Sequence, residues 1–237
     1  MTRLVDGDRA ARPPPSRRSC SVARSAAPLP LPPALTGTRV VAVLRPATTE
    51  HLVTTVAALI RAGVRAIELT ATTPDFPAVL ERTVRQFSAD AVIGAGTLTD
   101  ETLTRAAIDA GAGFAVSPGL VDELPRIASG HGVPSIVGAW SPSEVMRAHA
   151  LGADAVKIFP AATGGPGHLR SLREPFPGIP FVPSGGITVE SAGSYVAAGA
   201  VAVSLGGALT GSALRDGDVS VIARRAATLF TSIEEAV

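Results

Sequence analysis

Short runs of β-branched and small apolar residues alternate with amphipathic stretches from Arg39 to the end of the chain. The centres of the runs recur at intervals of roughly 20 to 26 residues, the length of one strand-helix unit. Eight runs are read as strands, at 40–44, 66–70, 91–95, 113–117, 135–138, 155–159, 179–183 and 200–205. Strands that alternate with helices pair in parallel, because each crossover carries the chain back to start again in the same direction. Eight such units predict a single α/β domain closed as a (β/α)8 TIM barrel. Gly63, Gly111, Gly152 and Gly199 each end an Ala-rich helical stretch, where a helix C-cap needs a left-handed residue. Four start signals put a hydroxyl before acidic first-turn residues: Thr48 and Thr49 with Glu50, Thr99 with Glu101, Ser141 with Glu144, and Thr188 with Glu190. An open dinucleotide-binding sheet would show the same alternation, but it needs a glycine-rich turn after its first strand. Here that strand runs into Leu44, Arg45 and Pro46.

The first 35 residues break the pattern, with seven prolines, six arginines and no apolar period. Such a stretch cannot bury enough surface to offset its chain entropy, so residues 1–35 are expected to be a disordered tail and residues 36–237 the barrel. In the whole chain 46% hydrophobic and 17% charged residues supply a large core. A net charge of +1 with scattered arginines offers nucleic acid no field, and no membrane partner is expected. One cysteine, Cys20, cannot close a disulfide within the chain, so a cytoplasmic location is expected.

Within this frame Lys157 stands out as the one lysine of the chain, set in the apolar run Ala155 to Pro160; the other 20 basic residues are arginine. Burial disfavours an ammonium group, and a neutral amine is the nucleophile with which Schiff-base enzymes begin. A lysine in such a run is otherwise one that snorkels to water or pairs with a carboxylate. Strand alternation puts Ala155, Lys157 and Phe159 on the interior face, with Phe159 walling the amine off from water, and Val156 and Ile158 toward the helices. By the same rule Glu68 joins Ala66 and Thr70 inside, while Ile67 and Leu69 pack outward. Glu68 and Lys157 are then either a structural ion pair or the carboxylate and amine that imine chemistry requires. Barrel chemistry sits at the C-terminal ends of strands, which here carry Arg45, Thr97, Ser117 to Gly119, Ser184 and two Gly-Gly pairs. Gly185-Gly186 and Gly206-Gly207 fall in the loops after strands 7 and 8, where barrels often offer backbone N–H groups to phosphate.

Several segments then resemble one family in order: Gly63 to Thr70, Ile93 to Thr97, Phe114 to Gly119, Ala155 to Pro160 and Val182 to Ile187. They are similar to those of the 2-keto-3-deoxy-6-phosphogluconate / 4-hydroxy-2-oxoglutarate aldolases, and the likeness runs from about Arg39 to the C-terminus. The resemblance implies a homotrimeric barrel and a class I aldolase that acts on a small keto acid and needs neither metal nor cofactor. It implies Lys157 as the Schiff-base lysine and Glu68 as the general acid/base. Thr97 resembles a threonine that contacts the pyruvate portion, Pro118 and Phe159 residues that line its pocket, and Arg45 an arginine that binds substrate in the galactonate-type branch. Ser184, Gly185, Gly186, Gly206 and Gly207 belong with the phosphate-binding loops. Two positions depart from the pattern: Thr72 stands where many gluconate-type members have arginine, and Ala208 where a serine often binds phosphate. An epimerase or isomerase on a phosphate-binding barrel, or a barrel kept only for binding, are the competing readings.

Overall fold

The computed structural model describes residues 27–236. Its strands are β1 (Val40–Leu44), β2 (Ala66–Thr70), β3 (Val92–Gly96), β4 (Ala115–Val116), β5 (Ser135–Ala139), β6 (Ala155–Ile158), β7 (Phe181–Pro183) and β8 (Val203–Leu205). The helices are α1 (Pro33–Thr38), α2 (Leu52–Arg61), α3 (Phe76–Phe87), α4 (Glu101–Asp109), α5 (Leu124–Gly130), α6 (Pro142–Ala150), α7 (Ala161–Arg173), α8 (Ala192–Ala197), α9 (Gly207–Thr210), α10 (Ala213–Asp216) and α11 (Ser220–Glu234). The strands form one parallel sheet in the order β7-β6-β5-β4-β3-β2-β1-β8, and a bridge between Ser184 and Ser204 joins its two edges into a barrel.

Two apolar layers follow from the two-residue period of the strands. Val40, Ala42, Leu44, Ile67, Leu69, Val156 and Ile158 face the helices. Val41, Ala66, Phe114, Val116, Ile136, Ala155, Val182 and Ala202 fill the lower interior. Two residues further along, the same interior faces carry Val43, Glu68, Gly138, Lys157, Ser184 and Ser204, so a layer with four polar side chains lies directly above the apolar one. That step from apolar to polar is what places chemistry at the C-terminal end of the barrel.

The left-handed glycines expected after helices are found at Gly63, Gly111, Gly152 and Gly199, with φ between 85° and 98°. The start signals fare less well. Ser141 and Glu144 form a full capping box on α6. At α4 the cap is Asp100, whose carboxylate accepts from Leu103 N, rather than Thr99. His51 precedes α2 and makes no side-chain cap, because the chain turns once more after Thr48 and Thr49. Thr188 holds a turn with Ser191, and α8 begins only at Ala192. Threonine and serine hydroxyls satisfy turns as readily as helix starts, and here three of the four do so or stay outside the helix.

The boundary expected at residue 35 also moves. Residues 1–26 lie outside the described residues, but 27–35 are built against the barrel. Leu29 N donates to Asp154 Oδ1 at 2.7 Å, and fully buried Leu35 joins the interior cluster at the start of the strands. Pro32 and Pro33 start α1, since proline costs nothing at a first helical position whose N–H has no partner.

Candidate active site

At the C-terminal end of the strands Lys157 on β6 and Glu68 on β2 meet across the barrel, with Nζ 3.7 Å from Oε1 and side chains 7% and 1% exposed. This is an ion-pair distance and longer than a hydrogen bond. Neither Glu68 oxygen accepts a hydrogen bond from the described residues, an uncommon condition for a buried carboxylate. Room for Glu68 comes from β3. A Cβ on Gly96 would lie 1.8 Å from Glu68 Oε1, so the carboxylate occupies the space of a missing side chain. One layer down, Gly94 yields in the same way to the ring of Phe114.

Above the pair lies a cavity of about 270 Å³ lined by Lys157, Arg45, Phe159, Ser184 and both glycine pairs, together with Val43, Ile187, Ser204 and Ala208. Phe159 is 40% exposed and stands at the rim just past the end of β6, with Lys157 Nζ 5.6 Å from its ring centre, within cation-π range. It therefore covers the amine from the mouth instead of sealing it inside. Gly185 and Gly186 have φ of 92° and 75°, which bends the loop after β7 back over the cavity, and a Cβ on Gly185 would meet the Phe159 ring at 2.9 Å.

Arg45 is fixed by two hydroxyls. Its Nη1 donates to Thr72 Oγ1 at 3.0 Å and its Nη2 to Thr97 Oγ1 at 3.1 Å, while Thr72 and Thr70 hydroxyls lie 2.9 Å apart. Thr97 has φ 59°, a left-handed conformation that a β-branched residue adopts only under constraint. Thr97 and Pro118 do not line the cavity themselves. Thr97 reaches it through Arg45, and Pro118 packs against β5, where a Cβ on Gly138 would lie 2.2 Å from its carbonyl carbon. Gly138 is the register partner of Lys157, so Pro118 sits one strand away from the amine. The turn is held by Ser117, whose hydroxyl donates to Gly119 O at 2.7 Å and accepts from Gly138 N.

Ser204 is a site residue that the sequence did not single out, whereas Thr70 was expected on the interior face and Thr72 in place of an arginine, without the hydroxyl contact that joins them. Ser204 could have been found by alternation, since it follows interior Ala202 by two. The arrangement offers a nucleophile, a proton carrier beside it, a fixed guanidinium and a loop-lined distal end. Among the described residues no group of three or more His, Cys, Asp or Glu could hold a metal ion, and no helix is long and apolar enough to cross a membrane.

A family model for KDPG and KHG aldolases matches residues 33–225. A 2-dehydro-3-deoxy-phosphogluconate aldolase of Treponema pallidum is 38% identical over 165 residues, 69% of this chain and 78% of that protein. A probable 2-dehydro-3-deoxy-6-phosphogalactonate aldolase of Rhizobium meliloti is 32% identical over 192 residues, 81% of this chain and 90% of that protein. The barrel also superposes on the KDPG aldolase of Legionella pneumophila, captured with pyruvate as a covalent carbinolamine. The TM-score is 0.76 at 29% identity, covering 84% of this chain and 98% of that one.

Proposed function

The chain belongs to the KDPG and KHG aldolase family, a class I carbon-carbon lyase, and on that premise we propose that it cleaves a 2-keto-4-hydroxy acid through an imine on Lys157. The products are pyruvate and an aldehyde. Substrates of the class carried in the relatives' names, 2-dehydro-3-deoxy-6-phosphogluconate or its galactonate epimer, or 4-hydroxy-2-oxoglutarate, suit the site. The observation that carries this reading is the buried Lys157–Glu68 pair, 3.7 Å apart, whose carboxylate oxygens accept no hydrogen bond from the described residues.

The sequence of steps follows from that pair. A proton passes from the Lys157 ammonium to Glu68, and the freed amine adds to C2 of the keto acid. The second nitrogen proton moves to the C2 oxygen, giving the carbinolamine, and Glu68 returns its proton as that oxygen leaves as water. The product is a protonated imine beside a Glu68 carboxylate. Glu68 then takes the C4 hydroxyl proton; the C4 oxygen becomes the aldehyde carbonyl, and the C3–C4 electron pair flows toward the iminium nitrogen. Glu68 gives that proton to C3 of the resulting enamine, and water releases pyruvate and the lysine amine.

Arg45, held by Thr72 and Thr97, binds the substrate carboxylate, which supplies the role of the missing arginine at position 72. Phe159 bounds the pyruvate pocket at its rim, and Pro118 supports it from behind β5. Ser184, Gly185, Gly186, Gly206 and Gly207 receive the distal end, by backbone N–H groups where Ala208 has no hydroxyl. The enzyme works in the cytoplasm as a homotrimer, as the family resemblance implies. Light scattering should then give three times the 23.9 kDa of one chain, and one chain mass would contradict it.

The chemistry is tested by pyruvate release from phosphorylated and unphosphorylated keto acids assayed side by side. Lys157→Met and Glu68→Gln are each expected to lower kcat by a factor of about 100 or more. Turnover that persists in Lys157→Met would sink the imine and favour a barrel isomerase in which the amine is only a charge.

A further inference from the structure

We propose that Arg225, on the outer helix α11, is a positioning residue that aims the loop after β8 at the distal phosphate of a phosphorylated substrate. The inference rests on the assignment of that loop to the substrate's distal end made above. Arg225 Nη1 donates to the Gly207 carbonyl at 3.0 Å, and Gly211 N donates to the same oxygen at 2.9 Å. In a trans peptide the carbonyl and the next N–H point in opposite directions. Holding the Gly207 carbonyl toward α11 therefore turns the Ala208 N–H away from α11, to the side on which Ala208 meets the central cavity. Ala208 is the partition: it also lines a separate cleft of about 350 Å³ that contains Arg225, Thr188, Glu190 and Thr228.

Alanine at 208 is what makes this tether matter. No hydroxyl can swing to meet an anion there, so recognition falls to backbone N–H groups, and those are only as good as their direction. Gly211 is fitted to the same arrangement, with φ 61° and a Cβ position only 3.0 Å from Arg225 Nη1. The same helix secures the other loop: the Ser232 hydroxyl donates to Glu190 O at 3.0 Å and accepts from Gly193 N at 2.9 Å. Across the cleft the Glu190 carboxyl lies below its ordinary range, chiefly through its own backbone N–H, then the Thr188 hydroxyl, with the nearby Arg225 charge a smaller cause. Arg225 thus faces a carboxylate on its own side of the loop, and its influence on the cavity is one of aim.

Arg225→Met keeps the apolar stem and removes the donors. In the full chain this variant should raise KM for 2-keto-3-deoxy-6-phosphogluconate about tenfold with kcat little changed, and leave KM for unphosphorylated 4-hydroxy-2-oxoglutarate within about twofold. Arg225→Lys should recover part of the loss, and Arg225→Leu gives the same comparison if the methionine variant does not fold. An unchanged KM for the phosphorylated substrate overturns the proposal. An equal rise for both substrates does so too, since a merely structural role would give it. Failure of the underlying reading looks different: wild-type enzyme would then handle the two substrates with equal kcat/KM, and the role of Arg225 would fall with it.

Discussion

A glutamate fits inside this barrel because the neighbouring strand has no side chain in its way. Gly96 leaves the space that Glu68 fills, and the carboxylate is thereby held 3.7 Å from Lys157. Gly96→Ala should push the carboxylate off its position and lower kcat at least tenfold, with an overpacking cost of about 1–3 kcal/mol in stability. Steady-state kinetics and a thermal melt on the same sample separate the two effects. A stable variant with wild-type kcat would take Glu68 out of the reaction. The charged pair was legible in the sequence because a lone lysine and a glutamate interrupt apolar strands at interior positions. The role of Gly96 was not, since a strand glycine that makes room for a neighbour looks the same in sequence as one that bends the chain. The interior position of Ser204 was available by counting twos from Ala202, yet a serine in a strand carries no chemical signal of its own.

Strands and helix ends differ in how openly the sequence declares them. The β1 and β2 limits match the apolar runs, whereas β4 shrinks to two residues: it loses Ser117 where the chain turns, and Gly113 and Phe114 are bends before its start. Helix starts depend on which of several neighbouring oxygens wins the first free N–H, and that is settled by tertiary position. At α6 the local signal prevails: Glu144 accepts from Ser141 N at 2.7 Å and from Trp140 N at 2.9 Å. These bonds hold its carboxyl below the ordinary 4.5, with the Ser141 backbone bond the largest cause. A lowered folded value means stabilisation that is complete above 4.5 and is lost as pH falls through that lower value. Glu144→Gln is therefore expected to cost about 0.5 kcal/mol at neutral pH and nothing in strong acid, read from melting curves across the range. A deficit that does not change with pH would show that the charge contributes nothing.

At the scale of the molecule the barrel is plugged at one end by a segment outside the eight repeats and narrowed at the other by its own loops. Leu35 of α1 seals the interior beside Val41, Ala66 and Ala155, and the loops after β7 and β8 crowd the mouth. The repeat count and parallel order could be read from periodicity, because burial on both faces of the sheet imposes it. The plug could not, since Pro32 and Pro33 read as a break in structure when they in fact begin a helix. Among the described residues the cavity holds one amine, and Lys157 is the only lysine of the chain. The central claim is accordingly testable at one atom. Incubation of the enzyme with pyruvate and borohydride, followed by peptide mass analysis, should find the reduced adduct on the peptide that contains Lys157. An unmodified Lys157 peptide from enzyme that releases pyruvate under the same conditions would contradict the account.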